Sequence, residues 1–99
     1  PGMMTSNEPG VYLSNQFGIR TENIILTVEK CETDFGKFYE FETLTLCPID
    51  TRAIETAIMT ETEIEWLNQY HKRVYETLSP MLDCSQNEWL KARCAPITK

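Results

Sequence analysis

Apolar residues form their densest run early in the chain. Residues 24–28 read I-I-L-T-V, and β-branched side chains dominate this segment. A nearly continuous apolar run of this kind is typical of a strand that is buried on both faces. We therefore predict a strand over residues 20–30, with even-numbered side chains on one face because successive side chains alternate.

The neighbouring segments complete an extended first half. We predict a short strand at residues 3–6 and a strand rich in aromatic residues and threonine at 38–47, which Pro48 ends. The polar, glycine-containing segment 31–37 is predicted to be a loop between strands. Residues 49–59 mix helical spacing with threonines, so they predict either an extended connection or a short helical turn.

Helical periodicity begins at residue 60. Thr60 and Glu63 have the spacing of a capping box, in which each residue satisfies a free backbone N–H of the other. An apolar stripe at intervals of three and four follows, and Ser79-Pro80 ends or kinks the helix. The stripe consists of Ile64, Leu67, His71, Val74, Tyr75 and Leu78.

A second, shorter helix is predicted to start at Ser85, because Ser85 and Glu88 repeat the capping-box spacing. Trp89, Leu90 and Cys94 are predicted to face inward. Antiparallel strands followed by two helices define an α+β fold.

Two residue types in the helices allow more than one interpretation. His71 could bind a metal ion or move protons, but its place in the apolar stripe favours a histidine at the edge of the core with a hydrogen-bonded ring. Trp66 and Trp89 could mark a partner surface, whereas packing between the two helices is the simpler interpretation.

Composition and charge exclude several classes of function. The chain has 99 residues, a net charge of −6 and a pI of about 4.7, so it lacks the basic surface by which proteins bind nucleic acids or anionic membranes. No apolar run is long enough to predict a transmembrane helix. The sequence begins with Pro1, which fits a processed terminus, a cloning remnant or a piece of a longer protein; the early position of the Glu8-Pro9-Gly10 motif favours the last of these.

Four cysteines, Cys31, Cys47, Cys84 and Cys94, contain no C-x-x-C pair, which argues against a zinc ribbon. They could form two disulfides in three possible connectivities. Without a visible signal peptide we predict four reduced thiols in or near the core.

Two glutamates near the start of the chain carry the candidate chemistry. If residues 8–22 form an antiparallel hairpin centred near Asn15, Glu8 lies opposite Glu22. Directly opposed like charges destabilise a strand pair, whereas converging carboxylates bind hard cations. The pair is therefore either part of a metal site or two solvated carboxylates on loops, and Pro9 must interrupt the ladder beside Glu8.

Arg20 lies two residues before Glu22 and on the same predicted face. It could orient that carboxylate by charge-assisted hydrogen bonds, or form an ordinary surface ion pair that contributes little.

These motifs together resemble the Xaa-Pro aminopeptidases (aminopeptidase P) of the pita-bread metallopeptidases. Residues 6–12 (S-N-E-P-G-V-Y) and 17–23 (F-G-I-R-T-E-N) are similar to the family pattern E-P-G-Y-Y and G-I-R-I-E-N, with the same interval of 14 between the glutamates. Residues 42–49 (E-T-L-T-L-C-P-I) and 65–71 (E-W-L-N-Q-Y-H) resemble segments of the longer, cytosolic type. Val11 and Thr21 depart from the pattern, and neither position carries a ligand in the family.

The resemblance implies a fold and a site. Residues 1–47 would be the C-terminal strands of the pita-bread catalytic domain, and residues 48–99 a C-terminal helical extension packed on it. Glu8 would bind one metal ion and act as the general base, Glu22 would bridge two divalent ions, usually manganese, and Arg20 would support them. The remaining ligands, two aspartates and a histidine, have no counterpart in this chain.

The resemblance also implies a reaction and a setting. A hydroxide that bridges the two ions would attack the Xaa-Pro peptide bond of a peptide with proline at its second position. The full-length protein would be a cytoplasmic homodimer, and this chain alone would be inactive. The competing hypothesis is a non-catalytic pita-bread relative or a C-terminal dimerisation module.

Overall fold

The computed structural model describes all residues from 1 to 99 and divides the chain into two compact units, Pro1–Thr45 and Leu46–Lys99. The first unit contains only strands and the second contains the helices. The order of antiparallel strands followed by two helices confirms the α+β prediction.

The first unit has five antiparallel strands in two sheets. Strand β4 lies at the centre of a three-stranded sheet in the order β1-β4-β5, while β2 and β3 form a hairpin of their own. The strands are β1 (Met4–Asn7), β2 (Gly10–Leu13), β3 (Phe17–Arg20), β4 (Asn23–Thr33) and β5 (Gly36–Thr43).

The prediction of a loop at residues 31–37 was wrong. Strands β4 and β5 continue as a two-stranded ribbon to a turn at residues 34–35, and β5 ends at Thr43 instead of Cys47. Ion pairs connect the two strands of the ribbon, Lys30 to Glu40 at 2.9 Å and Lys37 to Glu29 at 3.7 Å. Opposite charges that face each other across a strand pair stabilise it. Residues 31–37, whose polar composition is typical of a loop, therefore belong mostly to strands.

Burial in β4 is lower than its sequence predicts. Residues 25–28 are half-buried, and Ile24 is 37% exposed. The predicted burial on both faces is therefore not reached in this chain.

The second unit opens with two short 3-10 turns, Thr51–Ala53 and Thr56–Ile58, which agree with the short helical turn allowed for residues 49–59. Helix α1 spans Glu61–Leu78, and a 3-10 turn at Ser79–Met81 follows it. Thr60 and Glu63 form the predicted capping box in both directions.

Helix α2 spans Cys84–Arg93 and begins before its predicted start. Asp83 is the N-cap and forms the capping box with Gln86, so the prediction of a box between Ser85 and Glu88 was wrong. A carboxylate is a strong acceptor for the free backbone N–H groups at the start of a helix. The Ser85 hydroxyl donates to the same Asp83 carboxylate at 2.9 Å. Neither helix is long and apolar enough to cross a membrane.

The core of the second unit lies between α1 and α2. Its buried cluster consists of Leu67, Tyr70, Val74, Leu90 and Cys94. Inward positions were predicted correctly for Leu90 and Cys94. Trp89 and Trp66 are 57% and 53% exposed, so the expected packing of the tryptophans between the helices is wrong. Trp66 instead stacks on Tyr70 of its own helix, with ring centroids 5.6 Å apart.

His71 is fully buried, and its ring is hydrogen-bonded as predicted for a structural histidine. The Ile49 N–H donates to His71 Nε2 at 3.0 Å, so the neutral ring carries its proton on Nδ1. Burial lowers the pKa of His71 because a buried imidazolium loses its hydration.

None of the four cysteines is bonded to another, but only Cys94 is buried. The prediction that all four would lie in or near the core was therefore wrong for Cys31, Cys47 and Cys84, which are exposed.

Candidate metal-ligand site

The hairpin of β2 and β3 has the register on which the candidate site was predicted. Gly10 pairs with Arg20 and Leu13 pairs with Phe17, so paired residue numbers add to 30. Strands β1 and β4 continue the same register, since Asn7 pairs with Asn23. One antiparallel alignment therefore runs through both sheets, although the ladder is interrupted between them.

The interruption coincides with the two glutamates. Glu8 and Pro9 lie between β1 and β2, and Thr21 and Glu22 lie between β3 and β4. The Thr21 N–H donates to the Pro9 carbonyl at 3.1 Å, which keeps the register across the gap. The alignment therefore places Glu8 opposite Glu22 at the point where proline interrupts the pairing.

The centre of the hairpin is also where it was predicted. Asn15 has a φ of 57°, and the Gln16 N–H donates to the Leu13 carbonyl at 3.0 Å. A positive φ at the third residue of such a turn favours glycine or asparagine. This tight turn fixes which residues face each other further along the strands.

Arg20 forms an ion pair with one of the two glutamates. Its Nε lies 3.4 Å from Glu22 Oε2, and both side chains are about half exposed. The pKa of Arg20 is raised by a hydrogen bond with the Tyr12 side chain and then by the negative charges of Glu22 and Glu8. The guanidinium therefore pairs with Glu22, and the negative charge of Glu8 acts on it without a direct contact.

Tyr12 also lies at this site, where the sequence did not predict it. In the structure its side chain lies along the same face, over Gly10 and Gly18. A Cβ at Gly10 would come within 2.5 Å of the Tyr12 hydroxyl oxygen, and a Cβ at Gly18 within 2.6 Å of Tyr12 Cδ1. The two glycines thus leave space in which the tyrosine reaches Arg20. The sequence contained a signal for this arrangement, because Gly10, Tyr12, Gly18 and Arg20 are all even-numbered and alternation places them on the same face.

The residues on this face fit part of a metal site but not a whole one. Carboxylate oxygens suit hard divalent cations, and Glu8 and Glu22 are held facing one another near a charged support. No group of three or more histidine, cysteine, aspartate or glutamate side chains in the chain could hold a metal ion. His71, the other candidate ligand, belongs to the core of the second unit and already accepts the Ile49 N–H. Any metal bound at the hairpin would therefore need further ligands from outside this chain.

These features define an α+β chain in which two carboxylates, Glu8 and Glu22, lie opposite each other at the end of a hairpin. Residues 37–97 match the family model described as the C-terminal region of peptidase_M24. The chain belongs to this family, which confirms the family predicted from its motifs.

Two relatives of the chain are named as aminopeptidases P. The chain is 44% identical to a probable Xaa-Pro aminopeptidase P of Coprinopsis cinerea over 97% of its own length, and 43% identical to aminopeptidase P2 of Arabidopsis thaliana over 99%. It spans only 16% and 14% of the lengths of these two proteins.

A solved structure agrees with the fold. The chain superposes on the X-prolyl aminopeptidase of Caenorhabditis elegans with a TM-score of 0.80 and 38% identity, covering 95% of this chain and 16% of that one. That protein is described as a cytosolic enzyme with a di-nuclear active site.

Proposed function

We propose that this chain is the C-terminal part of an Xaa-Pro aminopeptidase, an enzyme that hydrolyses the bond between an N-terminal residue and a following proline. The observation that carries the proposal is the register that places Glu8 opposite Glu22, with Arg20 Nε 3.4 Å from Glu22 Oε2. Directly opposed like charges destabilise a strand pair, and this cost is offset when the two carboxylates bind a cation. The reaction itself is proposed from the names of the relatives, which are Xaa-Pro or X-prolyl aminopeptidases.

In the proposed site Glu8 would be a ligand of one metal ion and Glu22 a ligand of both. Oxygen ligands of this kind suit Mn²⁺ among the divalent ions, and the description of the Caenorhabditis elegans enzyme supports two ions. The other ligands come from a part of the longer protein that this chain does not contain. When bound, the two ions supply a lowered pKa for the attacking water and polarisation of the scissile carbonyl.

The side chains of this chain have separate tasks. Glu8 removes a proton from the attacking water and delivers it to the proline nitrogen as that nitrogen leaves. Glu22 keeps its carboxylate in one orientation because Arg20 pairs with it, and the Tyr12 side chain keeps Arg20 in place. Arg20 also offsets the repulsion between the two carboxylates when no metal is bound.

The longer protein defines the rest of the proposal. Residues 1–47 supply the last strands of the catalytic domain, and residues 48–99 form a helical extension. The substrate is a peptide with proline at its second position, and the enzyme is a cytoplasmic homodimer. This chain alone is inactive, since it contributes only two of the ligands.

A chimera tests the proposal. This chain replaces the matching segment of the Caenorhabditis elegans X-prolyl aminopeptidase, and release of the N-terminal residue from an Xaa-Pro peptide is measured with Mn²⁺ present. We expect an active chimera and a loss of at least about a hundredfold in kcat on Glu8→Gln or Glu22→Gln, because such groups contribute factors of this order.

Glu32→Gln is the matched control, because Glu32 is an exposed glutamate near the far end of β4. It should leave kcat unchanged. A folded chimera that is inactive with Glu8 and Glu22 intact, or one whose activity survives both substitutions, would favour the competing hypothesis of a non-catalytic module.

A further inference from the structure

An exposed tryptophan lies beside a small pocket in the second unit. Trp89 is 57% exposed, whereas tryptophan side chains are on average highly buried. The residue does not belong to the buried cluster of the unit, and it has no place in the proposed peptidase chemistry. A partner surface was the alternative interpretation of Trp89 from the sequence, and the contacts around its ring support that alternative.

Trp89 lines a pocket of about 230 Å³, which we call the Trp89 pocket. Ala92 and Arg93 line it as well, and both lie on the same face of helix α2 as Trp89 because they follow it by three and four positions. Residues 48–52 complete the lining. Pockets for cofactors and drug-sized ligands have volumes of about 300–1,000 Å³, so the Trp89 pocket is better suited to one or two side chains of a peptide.

The charge at this pocket is positive although the net charge of the chain is −6. The charged residues that line it are Arg52, Arg93 and Asp50. Arg52 Nε donates to both carboxylate oxygens of Asp50, at 2.9 and 3.0 Å, so these two charges neutralise each other. None of the ion pairs of the chain includes Arg93. Its guanidinium therefore has N–H donors available for an acceptor from outside the chain.

The guanidinium of Arg93 is held beside the indole. Arg93 Cζ lies 5.8 Å from the centre of the Trp89 ring, which is within the range of a cation–π contact. A long side chain that is already restrained loses less conformational freedom when it binds a partner. Guanidinium groups bind carboxylates through two parallel hydrogen bonds, and the exposed indole offers an apolar surface next to them.

We propose that the Trp89 pocket docks a peptide segment of another protein in which an aspartate or glutamate lies next to an apolar residue. The carboxylate of this segment pairs with Arg93, and the neighbouring apolar side chain contacts Trp89, Pro48 and Ala92. Tryptophan and arginine are among the residue types that most often dominate the binding energy of protein interfaces. All of these residues lie in the second unit, so the docking does not depend on the proposed metal site.

NMR titration of the 99-residue chain with capped pentapeptides tests this docking, and the signal of the Trp89 indole N–H is the readout. The main probe has the sequence Ser-Leu-Asp-Leu-Ser. One variant peptide replaces its aspartate by asparagine, another replaces both leucines by serine, and a third replaces the aspartate by phosphoserine. We expect the main probe to shift the signal to saturation and the asparagine and serine peptides to bind at least about tenfold more weakly.

Three results of this titration would overturn the proposal. The first is the absence of a shift with the main probe at millimolar concentration. The second is equal binding of the asparagine peptide, because the carboxylate would then have no role. The third is binding of the phosphoserine peptide at least about tenfold more tightly than the main probe, because a phosphate would then be the preferred ligand of the guanidinium.

Substitutions in helix α2 test the assigned contacts, with binding of the main probe measured by calorimetry. Arg93→Gln and Trp89→Ala should each weaken binding at least about tenfold. Both side chains are exposed, so the thermal midpoint should stay close to that of the parent chain. Lys91→Gln is the matched control, since it removes one positive charge from the same helix but Lys91 does not line the pocket. Equal losses in Lys91→Gln and Arg93→Gln would contradict the pairing with Arg93.

The chimera with the Caenorhabditis elegans enzyme shows whether the pocket is free in a longer protein. We expect the main probe to bind the chimera as tightly as it binds the 99-residue chain. If the probe binds only the 99-residue chain, another part of the longer protein covers the pocket, and docking of a separate protein is wrong.

Discussion

At the scale of single residues, the hairpin depends on two glycines that make room for one aromatic ring. Tyr12 is 63% exposed, so the ring is held by its contacts along the sheet surface and not by a core. The Cβ that would clash at Gly18 meets the base of the ring, Cδ1 at 2.6 Å and Cε1 at 3.2 Å. A small shift of the ring cannot relieve this contact, so the side chain would have to leave its position over the strand.

Gly18→Ala should therefore destabilise the chain by about 1 kcal/mol, as overpacking does. In a Tyr12→Ala background the same substitution should be neutral or stabilising, because the ring is gone and alanine loses less backbone entropy than glycine in a strand. Urea unfolding of the four proteins measures this coupling as a double-mutant cycle. An equal cost in both backgrounds would show that Tyr12 does not occupy the space over Gly18.

His71 makes stability depend on pH. Burial lowers its pKa in the folded chain, so below about pH 6.5 the unfolded chain binds a proton that the folded chain does not. Stability should be unaffected by His71 above this pH. It should fall as the pH drops from about 6.5 toward the folded pKa, with a limiting slope of about 1.4 kcal/mol per pH unit.

Thermal unfolding between pH 7.5 and 5 measures this slope, and His71→Gln is the matched variant. Glutamine still offers an acceptor for the Ile49 N–H but does not titrate. The variant should show a flatter dependence in the same window. If both proteins show the same slope, His71 is not the group responsible.

At the scale of secondary-structure elements, prediction succeeded where one local rule decided the outcome. The register of the hairpin followed from the turn at Asn15, and the start of α1 followed from Thr60 and Glu63. It failed where two local rules competed. In the ribbon of β4 and β5, the high content of charged residues favours a loop, whereas pairing of opposite charges across the strands favours a ribbon. The ion pair of Lys30 with Glu40 shows that the charges face each other.

The start of α2 shows the same competition between two overlapping patterns. Both Asp83 with Gln86 and Ser85 with Glu88 have the capping-box spacing, and the structure uses the first pair. Trp89 was misplaced for a related reason. In a helix this short, Leu90 and Cys94 already fill the inward face, and the residue beside Leu90 points about 100° away from it.

This assignment predicts unequal effects of two similar substitutions. Asp83→Ala removes the acceptor of the Gln86 N–H at 2.9 Å and should lower stability by about 1 kcal/mol. Ser85→Ala removes only a hydroxyl that supports Asp83, so its effect should be clearly smaller. Chemical unfolding of both variants decides the helix start, and a larger effect of Ser85→Ala would move it to the predicted position.

At the scale of the whole molecule, the two units differ in how much of their apolar surface they bury by themselves. The second unit has its own buried cluster and satisfies its helix starts internally. In the first unit the apolar side chains on the other face of the hairpin are 44% to 65% exposed (Val11, Leu13, Phe17 and Ile19). The sequence could predict the carboxylate pair, but no pattern within 99 residues can supply the ligands that this chain does not contain.

The isolated chain should bind divalent metal ions much more weakly than the enzyme of which we propose it is a part. Two carboxylates, one of them paired with Arg20, offer a divalent ion few ligands and a nearby positive charge, which weakens binding further. Calorimetric titration of the isolated chain with Mn²⁺ should therefore give no stoichiometric end point, whereas the chimera with the Caenorhabditis elegans enzyme should bind tightly.

Arg20→Gln sharpens this comparison, because it removes the competing charge and leaves both glutamates in place. Binding of Mn²⁺ to the isolated variant should become stronger than to the parent chain. It should be lost again when Glu8→Gln is added, since one carboxylate then remains. Tight binding by the unmodified chain, or no response to either substitution, would mean that the hairpin face does not hold the two carboxylates together.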